Sequence, residues 1–169
     1  MLDFKVKSFL YNYDINFIED AKAILSSEVK KNDYIFIDKK INELYPSLLS
    51  FLKELNKVII INSHENEKSY EGLIPIINTL IENGFKKNHS IFGIGGGIVQ
   101  DIASFVSSIM YRGVEWRFFP TTLLAQGDSC IGSKTSINFG QYKNQIGGFY
   151  PPKHIYIDTK FLDTLSDGD

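Results

Sequence analysis

Three glycines in succession, Gly95-Gly96-Gly97, follow the apolar run Ser90-Ile-Phe-Gly-Ile94 and precede a helical pattern that continues through Met110. Glycines between a strand and a helix let the backbone approach a diphosphate, and the helix amino terminus offers unpaired N–H donors and a partial positive charge. A glycine run also makes a plain tight turn, and the full GxGxxG spacing is absent, so the triplet by itself supports either role. Downstream, Arg112, Lys134, Lys143 and Asn144 stand in a segment rich in Gly, Ser and Thr. Isolated cations in such a segment suit a phosphorylated, polyhydroxylated ligand; the alternative is solvated loop charge. Asp128 could orient a hydroxyl there or make an Asx-turn. Asp38 and Asp158 each close an apolar run, where open α/β sheets place ligand-contacting side chains, although a cap or turn is the commoner role. His64, His89 and His154 have no mutual spacing that resembles a metal site, so no ligand set is expected from them. Cys130 reads as a small packed residue and Trp116 as core.

The elements that must hold these residues follow from the periodicity. Phe4 to Phe9 and Tyr13 to Phe17 read as an edge hairpin. Tyr34-Ile-Phe-Ile-Asp38 is a continuous apolar strand, followed by Ile41, Leu44, Leu48, Leu49, Leu52 and Leu55 at helical spacing. Lys57 to Ile61 repeats the strand signal. Leu73, Ile76, Ile77, Leu80 and Ile81 mark a helix that ends at Asn83-Gly84. After the glycine-led helix come a short strand from Trp116 to Phe119, stopped by Pro120, and Thr121-Thr122 as caps for a helix at Leu123 to Ala125 or a little beyond. The stretch from Gly127 to Gly148 carries five glycines and is expected to be loop or short irregular elements. His154 to Asp158 returns to strand. Strands alternating with amphipathic stretches predict one domain over residues 1–169: a Rossmann-like, open, mostly parallel sheet with helices on both faces and an amino-terminal edge hairpin.

Composition narrows the class. A formal charge of −2 over 169 residues, with 22% charged and 43% hydrophobic residues, gives no bulk attraction to nucleic acid or anionic lipid. The single cysteine allows no intrachain disulfide and fits a cytoplasmic setting. No apolar run approaches the roughly 20 residues needed to cross a bilayer. A phosphorylated, polyhydroxylated small molecule is the expected partner, with neither nucleic acid nor membrane, and a homodimer is left open.

In order along the chain, Gly95-Gly-Gly-Ile-Val-Gln-Asp101, Tyr111-Arg-Gly113, Pro120-Thr-Thr-Leu-Leu-Ala-Gln126, Asp128-Ser129, Gly132-Ser-Lys-Thr135, Asn138, Lys143-Asn144 and Ile146-Gly147 resemble the 3-dehydroquinate synthase family of sugar-phosphate cyclases. The likeness continues through Phe149-Tyr-Pro, Ile157-Asp158 and Phe161-Leu-Asp-Thr-Leu165. Upstream it rests on Asp38 and on Glu65 and Lys68. The resemblance implies that NAD is held by Asp38, Glu65, Lys68, Gly96, Gly97, Ile98, Val99, Gln100, Asp101, Thr121, Thr122, Lys134, Lys143 and Phe161, Leu162, Asp163 and Thr164. It places Arg112, Asp128, Lys134, Lys143 and Asn144 at positions that hold substrate, cofactor or both.

In such enzymes NAD transiently oxidises a ring hydroxyl of a heptulosonate phosphate, phosphate leaves, the hydride returns, and an aldol step closes a carbocycle. The family's divalent metal, usually zinc, is bound by a helical second domain that is expected only in a full-length member. The 169-residue chain by itself is accordingly expected to have little or no cyclase activity.

Gln100 stands where a glycine is usual, Gly127 and Cys130 replace the commoner Val or Ala and Ser, and Ser133 replaces a second Gly. Lys39-Lys40 follows Asp38 where an Asn contact is typical. These departures keep open a relative acting on another sugar phosphate. An NAD-dependent polyol dehydrogenase and a non-catalytic NAD-binding module are the alternatives from other classes. The cationic segment argues against the dehydrogenase, because a small alcohol does not need it.

Overall fold

The computed structural model describes residues 3–52 and 57–165. Seven strands form one sheet, β1 (Phe4–Val6), β2 (Tyr13–Phe17), β3 (Tyr34–Asp38), β4 (Val58–Ile61), β5 (Ile91–Gly95), β6 (Trp116–Pro120) and β9 (His154–Ile157), in the order β1-β2-β9-β6-β5-β3-β4. Only the β1–β2 pair at the edge is antiparallel; every other neighbour pair runs parallel. Both the edge hairpin and the open parallel sheet thus match the expectation, with the first hairpin strand ending at Val6 instead of Phe9.

Alternation along the strands builds a core on each face, because successive side chains point to opposite sides. Tyr34 and Phe36 of β3, with Trp116 and Phe118 of β6, pack with helices α3 (Tyr70–Glu82) and α4 (Gly97–Ile109). Ile35 and Ile37, with Phe92, Ile94 and Phe119, pack with α1 (Ala21–Glu28) and α2 (Lys39–Leu44) on the other face. Burial on both faces is why β3 reads as an unbroken apolar run. The end of α3 is as its sequence suggests: Asn83 caps it and Gly84 takes φ +72°.

Three expectations are corrected. The helix after β3 stops at Leu44, since Pro46 disfavours helical geometry at the residue before it and Tyr45 sits at φ −120°, ψ 61°. Leu48 and Leu49 are buried nonetheless, through turns, and Leu55 lies outside the described residues. Helix α1, which the apolar spacing did not announce, starts where Asp20 accepts a hydrogen bond from the Ala23 N–H.

The stretch 127–148 is not irregular: β7 (Lys134–Phe139) and β8 (Tyr142–Phe149) pair antiparallel, with a register irregularity between Ile137 and Phe139. The hairpin is anchored by Ile137, fully buried in the α3–α4 core, and by Ile146 packed against it. Of its glycines, Gly140 takes φ +55° in the turn and Gly147 serves close packing. A Cβ on Gly147 would run into the Thr135 carbonyl of the paired strand.

Candidate functional site

The strand order reverses direction about β3: the chain steps from β3 to β4 on one side, then crosses through α3 to β5 on the other. In open α/β sheets a crevice forms beyond the carboxyl ends of the strands at such a switch point. Here it is a cleft of about 470 Å³ between α2 and the start of α4. Its walls come from the carboxyl ends of four strands: Asp38 after β3, Asn62 to His64 after β4, Gly96 to Ile98 after β5, and Thr121 and Thr122 after β6. Thr164 and Leu165, at the end of the 3-10 helix Thr159–Thr164, complete it.

The glycine triplet divides its work within this cleft. Gly95 ends β5 and lets α4 pack close, because a Cβ there would stand 2.5 Å from Val99 Cγ2 and 3.2 Å from Asp38 Cβ. Gly96 is the N-cap of α4 and supplies no side-chain cap hydrogen bond. At Gly97 a Cβ would meet nothing within 4 Å. An uncapped helix amino terminus facing open space is the geometry that receives an anionic group, through N–H donors and the helix dipole. Thr121 N–H donates to the Gly95 carbonyl at 3.0 Å, and Thr122 Oγ1 accepts from Ala125 N–H at 3.2 Å, so the opposite wall is tied to the cradle and capped as its sequence suggested.

Both strand-closing aspartates have capping work. Asp38 Oδ1 accepts from Ile41 N–H at 3.0 Å, and its Oδ2 from the Ser63 hydroxyl. Asp158 Oδ2 accepts from Ala21 N–H at 3.0 Å, and its Oδ1 from Lys160 N–H at 3.1 Å. Asp38 still lines the cleft, whereas Asp158 is not among its lining residues.

A second polar cluster lies where the β7–β8 hairpin meets α4 and the 3-10 turn Glu65–Glu67. Lys68 Nζ is 2.8 Å from Asp101 Oδ2 and 3.8 Å from Glu65 Oε1, with a side chain only 7% exposed. Asn138 Nδ2 donates to Glu65 Oε1 at 2.8 Å, its backbone N–H to the Lys68 carbonyl at 2.8 Å, and its Oδ1 accepts from Asn144 N–H at 2.9 Å. Asn144 adopts φ +56° to make that contact. Burial raises the Asp101 carboxyl above its ordinary pKa, opposed by Lys68 and by a backbone hydrogen bond from Ser136. The Asn138 hydrogen bond holds Glu65 below the usual value, with the charges of Lys68 and Lys143 acting the same way against burial.

Gly96, Gly97, Ile98, Thr121, Thr122, Asp38 and Thr164 are therefore brought together in the cleft, and Glu65, Lys68 and Asp101 in the cluster beside Lys143. The side chains of Val99 and Phe161 are buried in the two cores, so only their backbones are available to a ligand. Leu162 is partly buried and Asp163 exposed, and neither lines the cleft. Lys134, Lys143 and Asn144 stand on the hairpin and Asp128 on the turn Ala125–Ser129, all outside the cleft lining. Arg112 follows α4, before β6 begins, at the amino ends of the strands and hence at the opposite edge of the sheet.

Sequence reasoning did not single out Asn62, Ser63, Lys39 and Lys40 as cleft residues; their position directly after β4 and β3 at the switch point is the signal that finds them. Among the described residues no group of three or more His, Cys, Asp or Glu is arranged to hold a metal ion, and no helix is long and apolar enough to cross a membrane. Cys130 is buried, which pushes its thiol up to about 11.

Fold and cleft together define a doubly wound α/β domain with a glycine turn and an uncapped helix start at its switch point. Residues 58–169 match the sequence model of the 3-dehydroquinate synthase N-terminal family, and the chain belongs to that family. A 3-dehydroquinate synthase of Clostridium tetani is 38% identical over 156 residues, covering 90% of this chain and 42% of its own length. The chain thus spans less than half the length of the curated relatives it matches. Among solved structures, 2-epi-5-epi-valiolone synthase from Streptomyces hygroscopicus, with NAD+ and Zn2+ bound, superposes with a TM-score of 0.82 at 28% identity over 96% of this chain and 46% of that one. Glycerol dehydrogenase from Schizosaccharomyces pombe shares the fold more distantly, with a TM-score of 0.61, 21% identity, and coverage of 87% and 37%.

Proposed function

We propose that the chain is the dinucleotide-binding half of a sugar-phosphate cyclase of the 3-dehydroquinate synthase kind, in which a heptulosonate phosphate loses phosphate and closes to a carbocycle. The observation that carries this reading is the open cradle at Gly97, above the uncapped start of α4.

The residues present suit NAD: the N–H groups at Gly97 and Ile98 would hold its diphosphate, in a cleft walled by four strand ends. Bound there, NAD would supply reversible hydride acceptance for a ring carbon of the sugar phosphate. Thr121 and Thr122 form the wall beside the diphosphate, and Thr164 closes the far side. Asp101, fixed by Lys68, and Glu65, fixed by Asn138, present oriented carboxylates next to the hairpin. Lys134, Lys143 and Asn144 on that hairpin, with Asp128 on the Ala125–Ser129 turn, serve the phosphate and hydroxyl groups of the sugar. The two lysine charges are what separates this reading from a polyol dehydrogenase. The described residues do not supply a metal site, so no metal step is assigned to them.

Calorimetric titration of the chain with NAD+, alone and then with a heptulosonate phosphate, tests the reading. One saturable NAD+ site is expected, with sugar phosphate binding strengthened by NAD+. Absence of any NAD+ heat would overturn it.

A further inference from the structure

Gln100, at the position where the family pattern has a glycine, makes a contact that no glycine can make. It lies on the first turn of α4 and is 7% exposed. Its Nε2 donates to the Ser129 carbonyl at 2.6 Å, and its Oε1 accepts from the Ser129 hydroxyl at 2.9 Å. Both ends of one buried amide are thus satisfied by a single residue 29 positions downstream. Such reciprocal, part-buried hydrogen bonds help to fix the relative placement of the two segments that carry them, since opening them leaves the buried Gln100 amide without partners.

The segment so fixed is unusual. Ala125–Ser129 is a π-type turn, with the Cys130 N–H donating to the Ala125 carbonyl at 3.2 Å. Turns of this kind are rare and occur mostly where a function requires them. Gln126 anchors its beginning: Nε2 donates to the carbonyls of Pro120 and Asp158, at 3.1 and 2.9 Å, which ties the turn to the ends of β6 and β9. Ser129, held by Gln100, anchors its end. Between the two anchors Asp128 is exposed. Of the departures from the family pattern, Gln100 makes the contact itself, and Gly127 and Cys130 lie in and just after the turn that it reaches.

We propose that Gln100 is a positioning residue that couples the anion cradle of α4 to the Asp128-bearing turn, so that dinucleotide binding and the placement of Asp128 toward the sugar phosphate are linked. The proposal rests on the reading of the cleft as a dinucleotide site. By reciprocity, a ligand that orders the start of α4 through this contact also orders the turn. A glycine at position 100 could make neither of these hydrogen bonds, leaving the two elements joined by the packing of Ala125 and Cys130 into the core that α4 shares.

Cys130, the single cysteine of the chain and 2% exposed, reports on the turn because its N–H closes it. Its reaction with an aromatic disulfide reagent is measured with and without saturating NAD+, saturation being judged by calorimetry for each protein. In the wild type NAD+ is expected to slow labelling by about fivefold or more. In Gln100→Ala the nucleotide-free rate rises about tenfold and the NAD+ effect falls below about twofold. Ser129→Ala keeps the carbonyl but loses the hydroxyl, and is expected between the two; it carries the test if Gln100→Ala does not fold. A merely structural glutamine would raise the rate without changing the ratio, so equal NAD+ protection in wild type and variants overturns the coupling. A wild type that binds NAD+ without protecting Cys130 also overturns it, whereas a wild type that takes up no NAD+ overturns the reading of the cleft.

Discussion

Replacing Lys68 with methionine is expected to destabilise the chain by about 3 kcal/mol at neutral pH, because it strips a largely, though not fully, buried carboxylate of its counter-charge. Lys68 is 7% exposed and Asp101 20% exposed at their side chains, with the ammonium 2.8 Å from the carboxylate. Even with that partner, burial dominates and raises the Asp101 carboxyl above its ordinary value. An acid whose folded pKa lies above its unfolded one loses stability as pH rises from the unfolded value through the folded one. Without Lys68 that rise is larger, so the variant's deficit should be greatest near pH 7 and shrink as the pH falls below the ordinary carboxylate range, where Asp101 is neutral in both states. Urea unfolding at several pH values measures this. The double variant Lys68→Met/Asp101→Leu should recover most of the loss. A deficit below about 1 kcal/mol, or one that does not change with pH, contradicts the account of this pair.

Gly95→Ala and Gly97→Ala should separate packing from binding at adjacent turns of the same loop. At Gly95 the new methyl would stand 2.5 Å from Val99 Cγ2 and 2.8 Å from its Cβ, inside a close-packed core. A loss of about 2 kcal/mol or more is expected, with α4 displaced and the cleft distorted. At Gly97 nothing lies within 4 Å, and alanine suits the first turn of a helix, so stability should stay within about 0.5 kcal/mol. The methyl would instead occupy the space over the N–H cradle, and NAD+ affinity should fall by at least about tenfold, one close charge-assisted hydrogen bond's worth. Thermal unfolding and calorimetry on both proteins decide it. A Gly97→Ala protein that binds NAD+ as tightly as the wild type would remove the diphosphate from this position.

What was legible in the sequence and what was not divides along the range of the interactions. Strand β3 and the glycine-led α4 could be read because their signals are local: an apolar run buried on both faces, and a strand-to-helix turn without side chains. The switch from α2 to turns was missed because Leu48 and Leu49 keep helical spacing and burial while Pro46 breaks the backbone. The β7–β8 hairpin was read as loop because Gly140, Gly147 and Gly148 mimic loop composition, whereas Gly147 is small to clear the Thr135 carbonyl. The site divides in the same way. The cradle was visible in Gly96 and Gly97, and the carboxyl-end rule pointed to Asp38, although its oxygens also cap α2. Lys68 with Asp101, and Gln100 with Ser129, are 33 and 29 residues apart, and no local pattern announces either pair. Lys134 and Lys143 stand on the β7–β8 hairpin, outside the cleft lining, with the charge of Lys143 acting on Glu65, on elements that no short-range signal could orient.

The most direct test follows backbone amide resonances of the ¹⁵N-labelled chain during titration with NAD+. Saturable shifts concentrated at Gly96, Gly97, Ile98 and Thr122, with the strongest effect at Gly97, are the predicted result. Shifts that leave these amides unmoved while NAD+ binds elsewhere, for instance in the crevice lined by Asp14, Asn16 and His154, would contradict the assignment of the cradle.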